Sequence, residues 1–129
     1  MTASGPFEVT LTPHPLDWAP DLGSLAIDKT FAGDLEATSQ GHMLAFNSAV
    51  KGSAGYVAME RVTGTLAGRR GTFVLQHSGT MTRGEPSLTL TVVPDSGTGE
   101  LAGLTGAMEI IIEGGKHSYR FEYELGGGS

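Results

Sequence analysis

Apolar residues recur at every second position along almost the whole chain, and no ten-residue window carries an apolar stripe at helical spacing. Phe7, Val9 and Leu11 alternate with Glu8, Thr10 and Thr12. Leu25, Ile27, Lys29 and Phe31 alternate in the same way with Ser24, Ala26, Asp28 and Thr30. A period of two is the mark of strands with one buried face. Six further segments read as strands: 34–50, with a bend near Gly41, then 55–66, 71–79, 87–93, 106–113 and 117–125. The stretch from Pro13 to Leu22 holds three prolines and reads as a loop, with Trp18 as its expected anchor over one end of the domain. Short connections between consecutive strands predict an antiparallel meander. Closing it removes exposed edges, so the expected fold is an all-β, eight-stranded antiparallel β-barrel. A barrel of this strand number is either filled by side chains or holds one small ligand.

The 129 residues suit one domain, assigned to 1–125, and Gly126–Ser129 reads as an appended linker outside it. Twenty glycines are too many for helices and fit a fold rich in turns. The net charge of −6, with no basic cluster beyond Arg69–Arg70, argues against nucleic acid as a partner. Apolar runs are too short for a membrane span, and the polar opening Met1–Pro6 lacks a signal-peptide pattern. The absence of cysteine excludes disulfides and thiolate chemistry, and fits a cytoplasmic location.

Turn chemistry places the side chains. A Gly68–Arg69 loop of type II′ would pair Ala67 with Arg70. Counting outward, Val62 then faces Leu75, Glu60 faces His77 and Ala58 faces Gly79, all on one mostly apolar face. At the last hairpin a Gly114–Gly115 turn pairs Glu113 with Lys116, Ile112 with His117, Ile110 with Tyr119 and Met108 with Phe121. The Lys51–Gly52 turn puts Met43, Ala45 and Asn47 on the face of Tyr56, Ala58 and Glu60. His42, Leu44 and Phe46 then point outward, as does Ile111. Either a subunit interface or the proline loop would cover them; a homo-oligomer, a dimer in the first instance, is the expectation.

Glu60 and His77 are the candidate catalytic pair. Directly opposite on a ladder, their Cβ atoms would lie roughly 4.5–5.5 Å apart. Burial and pairing push their proton affinities in opposing directions, which suits general acid–base work near neutral pH. The structural alternative is a satisfied pair that fixes register. Tyr56, Asn47, Met43, Phe73, Tyr119, Phe121 and Tyr123 share the inner face and are the candidate ligand-binding residues, with core packing as the alternative. His117 reads as a turn-side histidine and His14 as a loop residue. Dispersed histidines, no HExxH spacing and no cysteine leave no metal site, and no nucleotide-binding loop or nucleophile elbow implies a cofactor.

The runs MERVTG and LAGRRGTFVLQHSGTM, followed by VVPDSGTGELAGLTG, resemble a bacterial family of small proteins known only as a domain of unknown function. The resemblance extends from about Phe7 to Leu125, and the family's barrel is similar to that of allene oxide cyclase. It implies a cofactor-free pocket for a small apolar molecule, used in related barrels for cyclisation or isomerisation, often in oligomers. Ser48–Ser53 departs from the tight turn usual in that family, and Met108–Ile112 is unusually apolar. Fold transfers on such a resemblance more safely than function.

Overall fold

The structure, a computed structural model, describes residues 1–125; the expected linker at 126–129 lies outside the described residues. Eight antiparallel strands close in sequence order into one barrel. They are β1 (Thr2–Pro13), β2 (Leu22–Phe31), β3 (Leu35–Asn47), β4 (Ala54–Leu66), β5 (Arg69–Thr82), β6 (Glu85–Val92), β7 (Leu104–Glu113) and β8 (Lys116–Leu125). A single 3-10 turn, Gly99–Leu101, lies between β6 and β7. β1 closes the barrel by pairing with β2 through Phe7–Pro13 and with β8 through Thr2–Pro6. Every strand expected from the alternation is present, generally longer by a few residues; the third stops at Asn47.

The last hairpin has the expected register, with Ile112 opposite His117 and Met108 opposite Phe121. The β4–β5 register differs. Leu66 pairs with Arg69, so the loop is Ala67–Gly68, and both residues have positive φ, 48° and 83°. This is a type I′ turn, whose twist matches that of the flanking strands. Holding Ala67 in the left-handed region costs roughly 1–2 kcal/mol, which is why Gly68–Arg69 looked the more natural loop. Each partner moves by two positions: Glu60 lies opposite Leu75, and His77 opposite Ala58. A shift of two keeps every side chain on its expected face.

The interior has two unlike ends. At the end closed by the 67–68 turn, the residues before β7 and the 3-10 turn fold under the barrel. Leu35, Leu66, Phe73, Leu101, Leu104 and Phe121 are all buried there. The Phe73, Phe121 and Tyr123 rings stack in series at centroid spacings of 5.8 and 5.3 Å. At the other end the wall is loosely joined: β6 and β7 share one ladder pair, Thr91 with Ala107, and none towards Leu88 and Ile110.

Trp18 does not anchor the proline loop. It is 76% exposed, and the small Ala19 is the buried loop residue. That loop instead covers the outer surface near β2, where buried Ser24 bonds His42 Nε2 at 2.6 Å and the His14 and His42 rings lie 6.0 Å apart. Leu44 and Phe46 stay uncovered, and Ile111 is half-buried.

Candidate functional site

One inward layer at mid-barrel is polar. Lys29 on β2, Ser39 on β3, Glu60 on β4 and His77 on β5 are all buried. Gly41 makes their meeting workable. It faces Glu60 across the ladder, and a Cβ there would collide with the Glu60 backbone. With no side chain in the way, Lys29 reaches across β3 to its partner on β4.

Glu60 is the hub. Its Oε1 accepts from Lys29 Nζ at 2.9 Å and from His77 Nε2 at 2.5 Å, and its Oε2 accepts from Ser39 Oγ at 2.5 Å. The Glu60 side chain is wholly buried, and those of Lys29 and His77 are 6% and 5% exposed. Burial alone would raise the Glu60 carboxyl. The His77 hydrogen bond, the Lys29 charge, and the Ser39 and Lys29 hydrogen bonds together outweigh it and hold the group at about 2. The ammonium of Lys29 also sits over the Phe7 and Phe31 rings, at 5.2 and 5.8 Å from their centroids. No buried side-chain polar atom among the described residues lacks a partner.

An ionised carboxylate only accepts, so His77 donates to it through Nε2–H. In the neutral imidazole this leaves Nδ1 as an acceptor, and it meets the Tyr56 hydroxyl at 3.3 Å. Burial first, and then the nearby Glu60 charge, raise the Tyr56 hydroxyl above its ordinary value, so Tyr56 keeps its proton and donates. Gly79 faces Tyr56 on the ladder, and a Cβ there would come within 2.6 Å of the ring. The missing side chain is what lets the tyrosine lie across β5 towards His77.

Above this layer the barrel is open. A cavity of about 270 Å³ is bounded by side chains from all eight strands, among them Phe7, Ile27, Met43, Leu88, Ile110 and Ile112. Its polar lining consists of Lys29, Tyr56, His77 and His117. The expected pair is therefore joined, but diagonally rather than face to face; the length of the glutamate bridges the offset.

Of the expected ligand-binding residues, Met43 and Tyr56 line the cavity. Phe73, Phe121 and Tyr123 do not, because they fill the closed end. Tyr119 is also structural: its hydroxyl donates to the Ala32 carbonyl at 2.6 Å and accepts from the Leu35 N–H at 2.9 Å, pinning the β2–β3 turn. Asn47 is exposed at the end of β3 and lines no part of the cavity. His117 is half-buried, its ring edge-on to Phe7 at 5.3 Å, rather than a free turn residue.

Lys29 and Ser39 are the members of this buried layer that were not expected from the sequence. Lys29 carried a signal, as the one charged residue in the apolar series of β2. Ser39 carried none beyond its inward parity. Among the described residues, no three His, Asp or Glu side chains gather as metal ligands, and no helix is long and apolar enough to cross a membrane.

Comparison with known proteins agrees with this architecture. A crystal structure of a protein of unknown function from the DUF3224 family of Shewanella oneidensis MR-1 is 53% identical, with a TM-score of 0.93 over 97% of this chain and 96% of that one. No curated protein matches. The model of the family described as "Protein of unknown function (DUF3224)" matches residues 3–123. The chain, an eight-stranded barrel with a polar layer beneath an open mouth, belongs to the DUF3224 family.

Proposed function

We propose that the open end of the barrel binds one small, largely apolar molecule and moves a proton on it, an acid–base isomerisation or cyclisation that needs no cofactor. The observation that supports this reading is the apolar cavity whose floor presents His77 Nδ1 and the Tyr56 hydroxyl, backed by a buried carboxylate. Apolar pockets with a few convergent polar groups are where ligands bind and where proton transfer is well controlled. A proton leaving a carbon beside a carbonyl passes to the Tyr56 oxygen as the tyrosine's own proton moves to His77 Nδ1. Glu60 stabilises the imidazolium so formed and acts as a positioning residue. Return of a proton to a different carbon completes the isomerisation. One C–H bond breaks and one forms, and no electrons pass to a second reactant.

Two measurements test the parts separately. Native mass spectrometry after incubation with a defined set of neutral apolar ketones tests binding; a 1:1 adduct lost on Met43→Trp is expected, and no adduct contradicts it. Hydrogen–deuterium exchange beside the carbonyl of a bound ketone in heavy water tests proton transfer. His77→Gln is expected to slow it about 10²-fold or more. Exchange at the uncatalysed rate favours the second reading, a carrier without chemistry. That reading has its own support, since the three bonds on Glu60 satisfy the layer without any ligand.

Assembly is a separate element of the proposal. Leu44 and Val57 pair across the outer face of β3 and β4, and Phe46 and Met59 beside them are 43% and 51% exposed. Such a strip suits a homodimer. Light scattering at high micromolar concentration is expected to give twice the chain mass, and the mass of one chain contradicts it.

A further inference from the structure

The cavity does not end at the barrel rim. A groove of about 350 Å³ adjoins it, lined by Ala45, Ala54, Met81 and Pro86 among others, and its surface is almost wholly apolar. Met43, Tyr56 and Leu88 line both spaces and form the junction between them. The combined site is therefore asymmetric. Lys29, Tyr56 and His77 meet at its inner end, and His117 stands nearer the rim opposite Ile112. The trough leading outward exposes almost only apolar surface, although Thr80 and Ser87 contribute to its walls. The methionines at its walls are flexible and polarisable, which suits an extended chain of variable length.

The charge at the inner end also constrains the ligand. Lys29 is the lysine that lines the cavity, and its charge is already matched by Glu60 at 2.9 Å. An anionic head would have to be desolvated beside a fixed carboxylate whose countercharge is taken. A cationic head would meet Lys29 itself. A neutral head needs no countercharge. It exchanges with the long Tyr56–His77 contact of 3.3 Å, a carbonyl accepting the Tyr56 proton in place of His77 Nδ1, or a hydroxyl donating to Nδ1.

We infer that the ligand is an uncharged amphiphile, a single carbonyl or hydroxyl head on an unbranched apolar chain. Its head sits at Tyr56 and His77, and its chain runs past Met43 and Leu88 into the outer trough. This rests on the ligand-binding reading above and adds to it the class of ligand and its direction in the site.

The five methionines provide the test. Met43 and Met81 line the path, Met59 is on the outer face of the wall, and Met108 is in the core cluster. With methionines carrying a carbon-13 methyl label, titration with 2-decanone is expected to move the Met43 and Met81 signals together and leave Met59 and Met108 in place. Decanoate and decylammonium are expected to bind at least tenfold more weakly. Tyr56→Phe is expected to weaken 2-decanone about tenfold, as for loss of one hydrogen bond in an apolar site, while the same two signals still respond. If decanoate or decylammonium binds as tightly as 2-decanone, the uncharged head is wrong although a ligand site exists. If Met43 moves without Met81, the outward direction of the chain is wrong. If no signal responds to any of the three probes, the ligand-binding reading fails and this inference with it.

Discussion

The two ends of the barrel are built from the same eight strands with the same alternation, yet one is a packed core and the other a cavity. At the closed end large rings stack in series and Leu101, carried by the 3-10 turn, is buried against them. The open end is lined by aliphatic side chains that reach towards its rim, such as Ile112, which faces inward opposite His117 yet is 64% exposed. The closed end has a segment beneath it, and the open end has a wall barely joined between β6 and β7. Between them lies the layer of Lys29, Ser39, Glu60 and His77. Inward orientation alone does not make a core: a plug and a continuous ladder are needed too, and where they are missing the same pattern leaves a cavity.

Substitutions at the two ends should separate sharply. Phe121→Ala in the closed end is expected to cost about 3–5 kcal/mol, read from urea unfolding midpoints. A cost below 1 kcal/mol would mean that end is no more packed than the other. In the dividing layer, Lys29→Met leaves Glu60 buried without its cation and is expected to cost about 3 kcal/mol or more. Adding Glu60→Leu should recover part of that loss, the sign of a coupled pair. Simple additivity of the two substitutions would show that they act independently.

Acid probes the same layer. The Glu60 carboxyl is held at about 2, below its ordinary 4.5. Its contribution is complete above pH 4.5 and is lost as pH falls from there through 2, an effect on the order of 3 kcal/mol. Stability of the parent should therefore drop more steeply over that range than stability of Glu60→Gln. Parallel curves would remove Glu60 from the account. The smallest effect belongs to the open rim, where Ile112→Ser is expected to change stability by only about 0.5 kcal/mol. A loss comparable to that of Phe121→Ala would erase the contrast between the ends.

Much of the fold was legible because strand parity is written directly in the sequence. The β7–β8 hairpin was readable in full, since Gly114–Gly115 admits one obvious tight turn and Glu113 and Lys116 mark its ends. The β4–β5 hairpin was readable in facing but not in register. Nothing in Ala67 signals a positive φ, and the error of two positions hid the true partners of Glu60 and His77 while preserving their face. The role of Lys29 was beyond reach for another reason: its contact with Glu60 crosses an intervening strand, over Gly41, and no hairpin rule reports on strands that do not pair. Height along the barrel axis was illegible as well. It depends on the stagger of all eight strands, so Phe73, Phe121 and Tyr123 could be placed inside but not assigned to the end opposite Tyr56.

The central claim is that accessible apolar space exists at one end of this barrel and not at the other. Crystals held under xenon test it without assuming any ligand, because xenon enters apolar cavities and scatters strongly. The account predicts xenon density between Met43, Leu88 and Ile110, and none among Phe73, Phe121 and Leu104. Xenon at the Phe121 end, or at neither end, would contradict it.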